Sequence, residues 1–273
     1  MQAGLALRLW HAPQLALIPQ NFPLEIMAES VLGHLGGPAL WHTRNLSENR
    51  SVCLHSVSLN IGGTTPFDLN FVCEYKKLIQ EFKPTVVSDH ICFTQHEQRF
   101  SFELCPLPRN KETVNHLTNR INQIQDMLQC TLSLENVSAY VSYTDNDMSE
   151  IEFLNELVCE TNCNLLLDLN NLYLSAVNNN SDVFIDMKSI PWNNVSQIHL
   201  AGHSVRDGIL FDSHDAPICE NVWGLFEKAV PYLQSAQGKT NPIIIIENDN
   251  PETNFEFLLK ECQCAQDILD GLV

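Results

Sequence analysis

The amino-acid sequence predicts an α/β fold, a single (β/α)8 barrel of the TIM type. Three observations carry that expectation. Eight short β-type runs, each carrying a polar residue at or near its end, alternate with helical patterns along the chain. Their spacing is about 34 residues per unit, near the roughly 30 of a βα repeat. A length of 273 residues with a hydrophobic fraction of 44% suits one barrel of about 250 residues. No linker, low-complexity tract or composition break interrupts the pattern, so residues 1–273 are read as one domain. A doubly wound open sheet is the rival. Its dinucleotide fingerprint is missing, because Gly33, Gly36 and Gly37 do not form GxGxxG after a strand, and no Walker loop occurs.

The elements follow in order. The first run, residues 4–9, leads to Arg8 and His11, and the second, 24–29, ends at Glu29. The helical signal at 36–49 is weak. The third run, 51–59, contains His55 and precedes a helix over 67–82, whose face is Phe71, Val72, Tyr75, Leu78, Ile79 and Phe82. The fourth, 85–93, reaches His90. The helix over 110–128 is the best defined: Asn110 can cap it, and Val114, Leu117, Ile121, Ile124 and Leu128 recur at helical spacing. The fifth run, 131–137, carries Glu135, and Ser149 with Glu152 forms a capping box for the next helix. The sixth, 164–169, delivers Asp168 and Asn170 ahead of a weak Asn-rich stretch at 178–190. The seventh, 195–203, bears His199 and His203. A helix over 220–237 follows, with Val222, Leu225, Phe226, Ala229 and Leu233 on one face. The eighth run, 242–249, ends at Glu247, and Thr253 with Glu256 suggests a capping box for the last helix.

Composition narrows the function. With 33 acidic against 15 basic residues the formal charge is −18, which argues against a duplex-binding surface built on clustered Lys and Arg. The N-terminus lacks an uninterrupted signal-peptide core, since Arg8 and His11 break its apolar residues. The longest clearly apolar run, residues 243–246, is strand-sized, so no membrane span is expected. The ten cysteines are scattered and are read as mostly reduced, buried thiols of a cytoplasmic protein. Neither Cys159 with Cys163 nor Cys262 with Cys264 has a second pair at zinc-finger spacing, and both pairs fall in predicted helices.

In a barrel the C-terminal strand ends share one basin. Here every run sends a His, Asp, Glu or Arg there. Uncompensated burial of so many carboxylates is costly, because like charges resist ionising together. Cations remove the conflict. The loop after the seventh run adds Asp212 and His214, which gives ten candidate ligands: His55, His90, Glu135, Asp168, Asn170, His199, His203, Asp212, His214 and Glu247. One ion uses about three or four protein ligands, so ten suggest two or three ions. Ligation by His and carboxylate without cysteine favours iron, manganese or zinc. Arg8, His11 and Glu29 reach the same basin and are read as substrate contacts or supports of the ligands. His34, His42, His96 and His116 are expected on the solvated surface.

Taken in order, LHSVSL, VSDHICF, LENVSAY, SEIEFLNEL, LLLDLNNLYLSAVN, IHLAGH, DSHDAPICENVW and IIIEND resemble the multinuclear non-heme iron-dependent oxidative enzymes (MNIO). That family includes maturases of methanobactin and bufferin peptides. The resemblance spans residues 4–270. It implies a TIM-type barrel of the xylose-isomerase-like kind holding two or three irons, mixed Fe(II) and Fe(III). It also implies O2 as cosubstrate, oxidative modification of a ribosomally made precursor peptide, and a separate protein that recognises the leader. Carried over by motif, His55, His90 and Glu135 would hold one iron, and Glu135 would bridge to a second held by Asp168, His199 and Glu247. Asn170, His203, Asp212 and His214 resemble a third, more variable site. LENVSAY and SEIEFLNEL resemble the bufferin-type branch, whose peptides contain cysteine, so cysteine is the expected target. Two departures stand out: AES where relatives often read AEN, and Ser56 where glycine is usual. The other readings are a divalent-metal sugar isomerase or epimerase, an endonuclease of the related barrels, and a metal-storage or metal-sensing protein.

Overall fold

The computed structural model describes residues 1–33, 37–96, 99–182, 187–236 and 241–272. Eight parallel strands close into a barrel: β1 (Gln2–Leu7), β2 (Leu24–Met27), β3 (Val52–His55), β4 (Val86–His90), β5 (Ser133–Glu135), β6 (Asn164–Asp168), β7 (Val195–Ala201) and β8 (Ile243–Glu247). Closure comes from β1 pairing with β8, where Gln2 to Leu5 lie opposite Ile243 to Ile246. Seven α-helices follow β2 to β8 in turn: α1 (Pro38–Ser47), α2 (Leu69–Phe82), α3 (Lys111–Leu128), α4 (Glu150–Thr161), α5 (Leu169–Asn178), α6 (Glu220–Ser235) and α7 (Phe255–Asp270). After β1 the chain forms a 3-10 helix over Leu9–Leu17 instead, with Pro13 inside it. Proline lacks the N–H and clashes with the preceding turn, so an α-helix is disfavoured there.

Alternation along each strand sorts the side chains. One parity packs under the helices, where Leu5, Leu24, Leu54, Val87, Leu134, Leu167, Ile198, Leu200 and Ile246 join the main core. The other parity faces the lumen. Its lower part holds Ala6, Cys53, Val86, Ile243 and Ile245 as a separate apolar cluster. Two residues further along the same strands stand His55, Ser88 and Glu247. The lumen therefore changes from apolar to ionisable towards the C-terminal rim. Helix α3 shows why the outer layer forms: Val114, Leu117, Ile121 and Ile124 are fully buried, each worth about 1.5–3 kcal/mol.

The helix starts largely follow their sequence signals. Asn110 Oδ1 accepts from Thr113 N at 2.9 Å, and the Ser149–Glu152 capping box forms. Asn254, rather than Thr253, caps α7, accepting from Glu256 N at 2.8 Å. Asp68 caps α2, which therefore starts at Leu69 and not at 67. Helix α1 occupies the weak stretch at 36–49. Helix α5 begins directly after β6 because Asp168 turns the chain and accepts from Asn171 N.

The strands are shorter than expected at the rim. His203 and Glu29 lie beyond β7 and β2, because rim residues leave the ladder to aim side chains inward. Two hairpins were absent from the sequence reading: Phe93–His96 with Arg99–Cys105, and Ser204–Arg206 with Ile209–Phe211. Cys163 lies past Asn162, the C-cap of α4, and outside the predicted helix. Among the ten cysteines only Cys53, Cys92, Cys163 and Cys262 are buried, so most are not, because the others sit on helices, at their ends or, for Cys105, on a strand outside the barrel. His42 and His116 are half-buried, and His116 Nε2–H donates to Gly63 O at 3.0 Å. His34, Gly36, Gln237, Val273 and residues 183–186 of the Asn-rich stretch lie outside the described residues.

Candidate metal centre

Glu135, the last residue of β5, sits at the middle of the rim. Its Oε2 is 3.3 Å from His55 Nε2 on β3 and 3.1 Å from His90 Nε2 on β4, and its Oε1 is 3.4 Å from His199 Nδ1 on β7. His199 Nδ1 also lies 3.1 Å from Glu247 Oε2 and 4.0 Å from Asp168 Oδ2. His214 Nδ1 is 3.4 Å from Glu247 Oε2, and its Nε2 is 2.7 Å from Asp212 Oδ1. Strand pairing makes this possible, since His90 lies opposite Glu135, and Asp168 opposite His199, in the ladder.

The far side of each ring is also held. His90 Nδ1–H donates to Ser56 O at 3.2 Å, and His55 Nδ1 meets Ser88 Oγ at 2.8 Å. These contacts aim both Nε2 atoms at Glu135. Glu29 steadies the Ser56 segment, its Oε1 accepting from Ser56 Oγ and Val57 N, each at 2.9 Å. Arg8 donates from Nη2 to Glu247 and from Nε to Asp249, both at 2.5 Å. His11 is buried on the 3-10 helix, where its Nδ1 accepts from Arg8 N at 3.2 Å. Its burial, with Arg8 nearby, lowers its pKa to about 4, so it is a neutral ring near pH 7.

The loop after β7 forms a second layer. His203 Nδ1–H donates to Asn170 Oδ1 at 2.8 Å, and Asn170 Nδ2 donates to Asp212 Oδ1 at 3.1 Å. A Cβ at Gly202 would stand 1.9 Å from Ala216 O, so only glycine lets the His203 segment pack against the Asp212–His214 turn. His214 itself has φ +47°, a left-handed conformation that costs a non-glycine residue about 1–2 kcal/mol. Asp212 bridges the two layers, touching both Asn170 and His214.

Electrostatics at this rim are dominated by burial and by the crowding of like charges. Burial opposes a charged Glu135, yet His90, His199 and His55 outweigh it and pull its pKa down to about 2. Burial likewise opposes a charged His90, but Glu135 and Asp89 carry it up to about 9. His199 and His214 are held well above the ordinary histidine range against their burial, the former by Glu25, Glu247 and Glu135, the latter by Asp212 and Glu247. Asp168 moves opposite to Glu135: burial, then Glu135 and Asp212, push it well above the ordinary carboxylate range.

Protons thus stand in for cations among crowded carboxylates. Glu135 Oε2, Asp168 Oδ2 and His199 Nδ1 are buried and make no well-formed hydrogen bond among the described residues. Glu135, Asp168 and His199 form one group whose ligand atoms lie within 4.8 Å of one another. Four overlapping triads each bring three ligand atoms within 4.8 Å: His55, His90 and Glu135; Glu135, Asp168 and His199; Asp168, His214 and Glu247; Glu25, His199 and Glu247. This nitrogen and oxygen donor set fits divalent first-row metals.

The chain matches the family model described as RiPP precursor modification enzyme MbnB/TglH/ChrH over residues 2–270. It belongs to this family. Members of the family are modification enzymes, and their substrate class is a precursor peptide. A UPF0276 protein of Acaryochloris marina is 31% identical over 269 residues, covering 98% of this chain and 94% of that protein. One from Rhizobium meliloti is 32% identical over 252 residues, covering 90% and 79%. Among solved structures, a D-tagatose 3-epimerase-like protein aligns with TM-score 0.60 at 15% identity, covering 99% and 97% of the two chains. A xylose isomerase domain containing protein from Salmonella typhimurium aligns with TM-score 0.60 at 11% identity, covering 95% and 90%. These structural likenesses show the barrel fold of the family member and nothing of its chemistry.

Glu25, Gln197 and Asp249 are absent from the sequence-derived candidate set. Glu25 and Gln197 are fully buried inside the barrel and contact His199. A charged residue inside the apolar run LEIM of β2 is the signal that points to Glu25.

Proposed function

We propose that this family member is a multinuclear non-heme iron enzyme that uses O2 to modify a cysteine of a ribosomally synthesised precursor peptide. The observation that carries the reading is Glu135, whose two oxygens face different histidines, Oε2 towards His55 and His90 and Oε1 towards His199. One carboxylate in that position suits a bridge between two ions. In this reading His55, His90 and Glu135 hold one iron, and Glu135, Asp168, His199 and Glu247 hold a second. Asn170, His203, Asp212 and His214 contribute to a third, with His214 also within reach of Asp168 and Glu247. Bound iron supplies open positions for thiolate and O2 and a route for electrons from peptide to oxidant.

The side chains do the rest. His90 and His55 are oriented by Ser56 O and Ser88 Oγ, so little reorganisation is needed when ligands bind. Burial opposes a charged Glu247, but His214 and His199, then Arg8, hold its pKa well below the ordinary carboxylate range, and Arg8 pins it in place. Glu29 ties the loop after β3 through Ser56, which gives the serine at this position a structural use. Below the rim, Ala6, Cys53, Val86, Ile243 and Ile245 pack as a buried apolar cluster.

Leader recognition belongs, in this reading, to a separate protein with a basic docking face that complements the charge of −18. The test is coexpression with a cysteine-containing precursor and its partner, followed by mass spectrometry of the peptide. Oxidative mass change in air, lost under anaerobic conditions and in His90→Ala or Glu135→Ala, is expected. An unmodified peptide beside iron-replete enzyme and partner would sink the proposal.

A further inference from the structure

Below the rim, inside the barrel, Glu25 of β2 meets Gln197 and His199 of β7. All three side chains are fully buried. Glu25 Oε2 is 2.8 Å from His199 Nε2, and Gln197 Nε2–H donates to the same oxygen. The third edge of the triangle, 2.8 Å between Gln197 Nε2 and His199 Nε2, joins two donors that share one acceptor. Glu25 Oε1 has no hydrogen-bond partner among the described residues. The opposite ring nitrogen, His199 Nδ1, faces Glu247, Glu135 and Asp168 at 3.1, 3.4 and 4.0 Å.

From this geometry we infer that Glu25 is a positioning residue that fixes the tautomer of His199. Its Oε2 accepts the hydrogen bond from Nε2–H, so that Nδ1 presents its lone pair to the cluster of carboxylates. The inference deepens the metal reading of the site and rests on it. A neutral imidazole carries one N–H and one lone pair, and the partner of the N–H decides which nitrogen is free to bind. No other carboxylate lies within ion-pair distance of Nε2 among the described residues. Gln197 has a supporting part: its amide donates to Glu25, so the acceptor cannot swing away from the ring. A buried, uncompensated carboxylate is expensive. Its presence beside Cys53 of the buried apolar cluster, in register across the strand ladder, calls for a cationic partner, and a metal-bound His199 above it would supply one through the ring. His55 and His90 lean on neutral partners instead, Ser88 Oγ and Ser56 O. Asp89 Oδ1 stands farther off, 3.8 Å from His90 Nδ1, whereas Glu25 Oε2 lies at hydrogen-bond distance behind His199.

Two measurements test this without enzyme turnover. In the first, the protein labelled with 15N-histidine is loaded with Zn(II), and long-range proton–nitrogen spectra identify the protonated nitrogen of His199, assigned against His199→Gln. A proton on Nε2 with zinc on Nδ1 is expected. A proton on Nδ1, or zinc on Nε2, overturns the inference while leaving the metal centre intact. In the second, anaerobic Fe(II) titration compares wild type with Glu25→Gln. The phase that disappears in His199→Ala should weaken about 10–100-fold, and the phase that survives His199→Ala should not move. Equal affinities in Glu25→Gln and wild type overturn the inference. Failure of the wild type to take up either metal would instead overturn the metal reading itself, and the inference with it.

Discussion

Removing Arg8 gives the sharpest test of how the rim is held together. Its side chain is 10% exposed and Glu247 is 6% exposed, so this pair is desolvated, while Asp249 is 43% exposed. Arg8→Met strips the guanidinium and leaves Glu247 with only His199 and His214 as cationic neighbours. Breaking a buried pair by deleting one partner costs about 3–5 kcal/mol. The half-exposed contact to Asp249 adds at most about 1 kcal/mol. The two histidines soften the loss, so about 3 kcal/mol is expected. The assay is urea unfolding of the metal-free protein in chelator near pH 7, monitored by circular dichroism. A second variant, Arg8→Met with Glu247→Gln, removes both charges and should recover much of the deficit, because the orphaned carboxylate causes the damage. An Arg8→Met protein within about 1 kcal/mol of wild type, or losses that simply add in the double variant, would refute the reasoning.

Three further outcomes follow from other parts of the molecule. Burial raises the pKa of Glu150 to about 7 in spite of nearby Arg109. The folded state therefore holds that proton more tightly than the unfolded chain, and the stability it brings is present below about pH 4.5 and lost as pH rises through 7; Glu150→Gln should stabilise the protein at pH 8, by up to about 3 kcal/mol, and change little at pH 4.5. Leu117, fully buried on α3, should cost about 2–5 kcal/mol as Leu117→Ala in a thermal or urea melt, with the metal stoichiometry unchanged. Affinity for a purified leader-recognition partner should fall as salt rises from 50 to 500 mM, measured by calorimetry, and salt-independent binding would exclude electrostatic docking.

Much of the site could be read from the chain because a parallel barrel places every strand end on one rim. His55, His90, Glu135, Asp168, His199 and Glu247 each close a strand or stand two residues before its end, and the structure brings them within a few ångströms. The loop residues were harder to arrange. His214 belongs with Asp168 and Glu247 as much as with Asp212, a grouping set by its left-handed backbone and the close pass of Gly202 against Ala216. Glu25 escaped notice because it sits one side-chain layer below the rim, level with Cys53, on a strand that otherwise reads as apolar core. The strand pairs Phe93–His96 with Arg99–Cys105 and Ser204–Arg206 with Ile209–Phe211 escaped because they interrupt the βα alternation without altering its count.

By itself the sequence determined the barrel, its strand order and the set of polar residues delivered to one basin, since alternation and strand-end chemistry are local properties of the chain. Tertiary structure alone decided which atoms face which. Strand register put His90 beside Glu135 and Asp168 beside His199, and barrel closure brought Glu25 of the second strand under His199 of the seventh. Those pairings join residues up to 174 positions apart. No local pattern encodes such a contact, because its distance depends on how all eight strands tilt and close together.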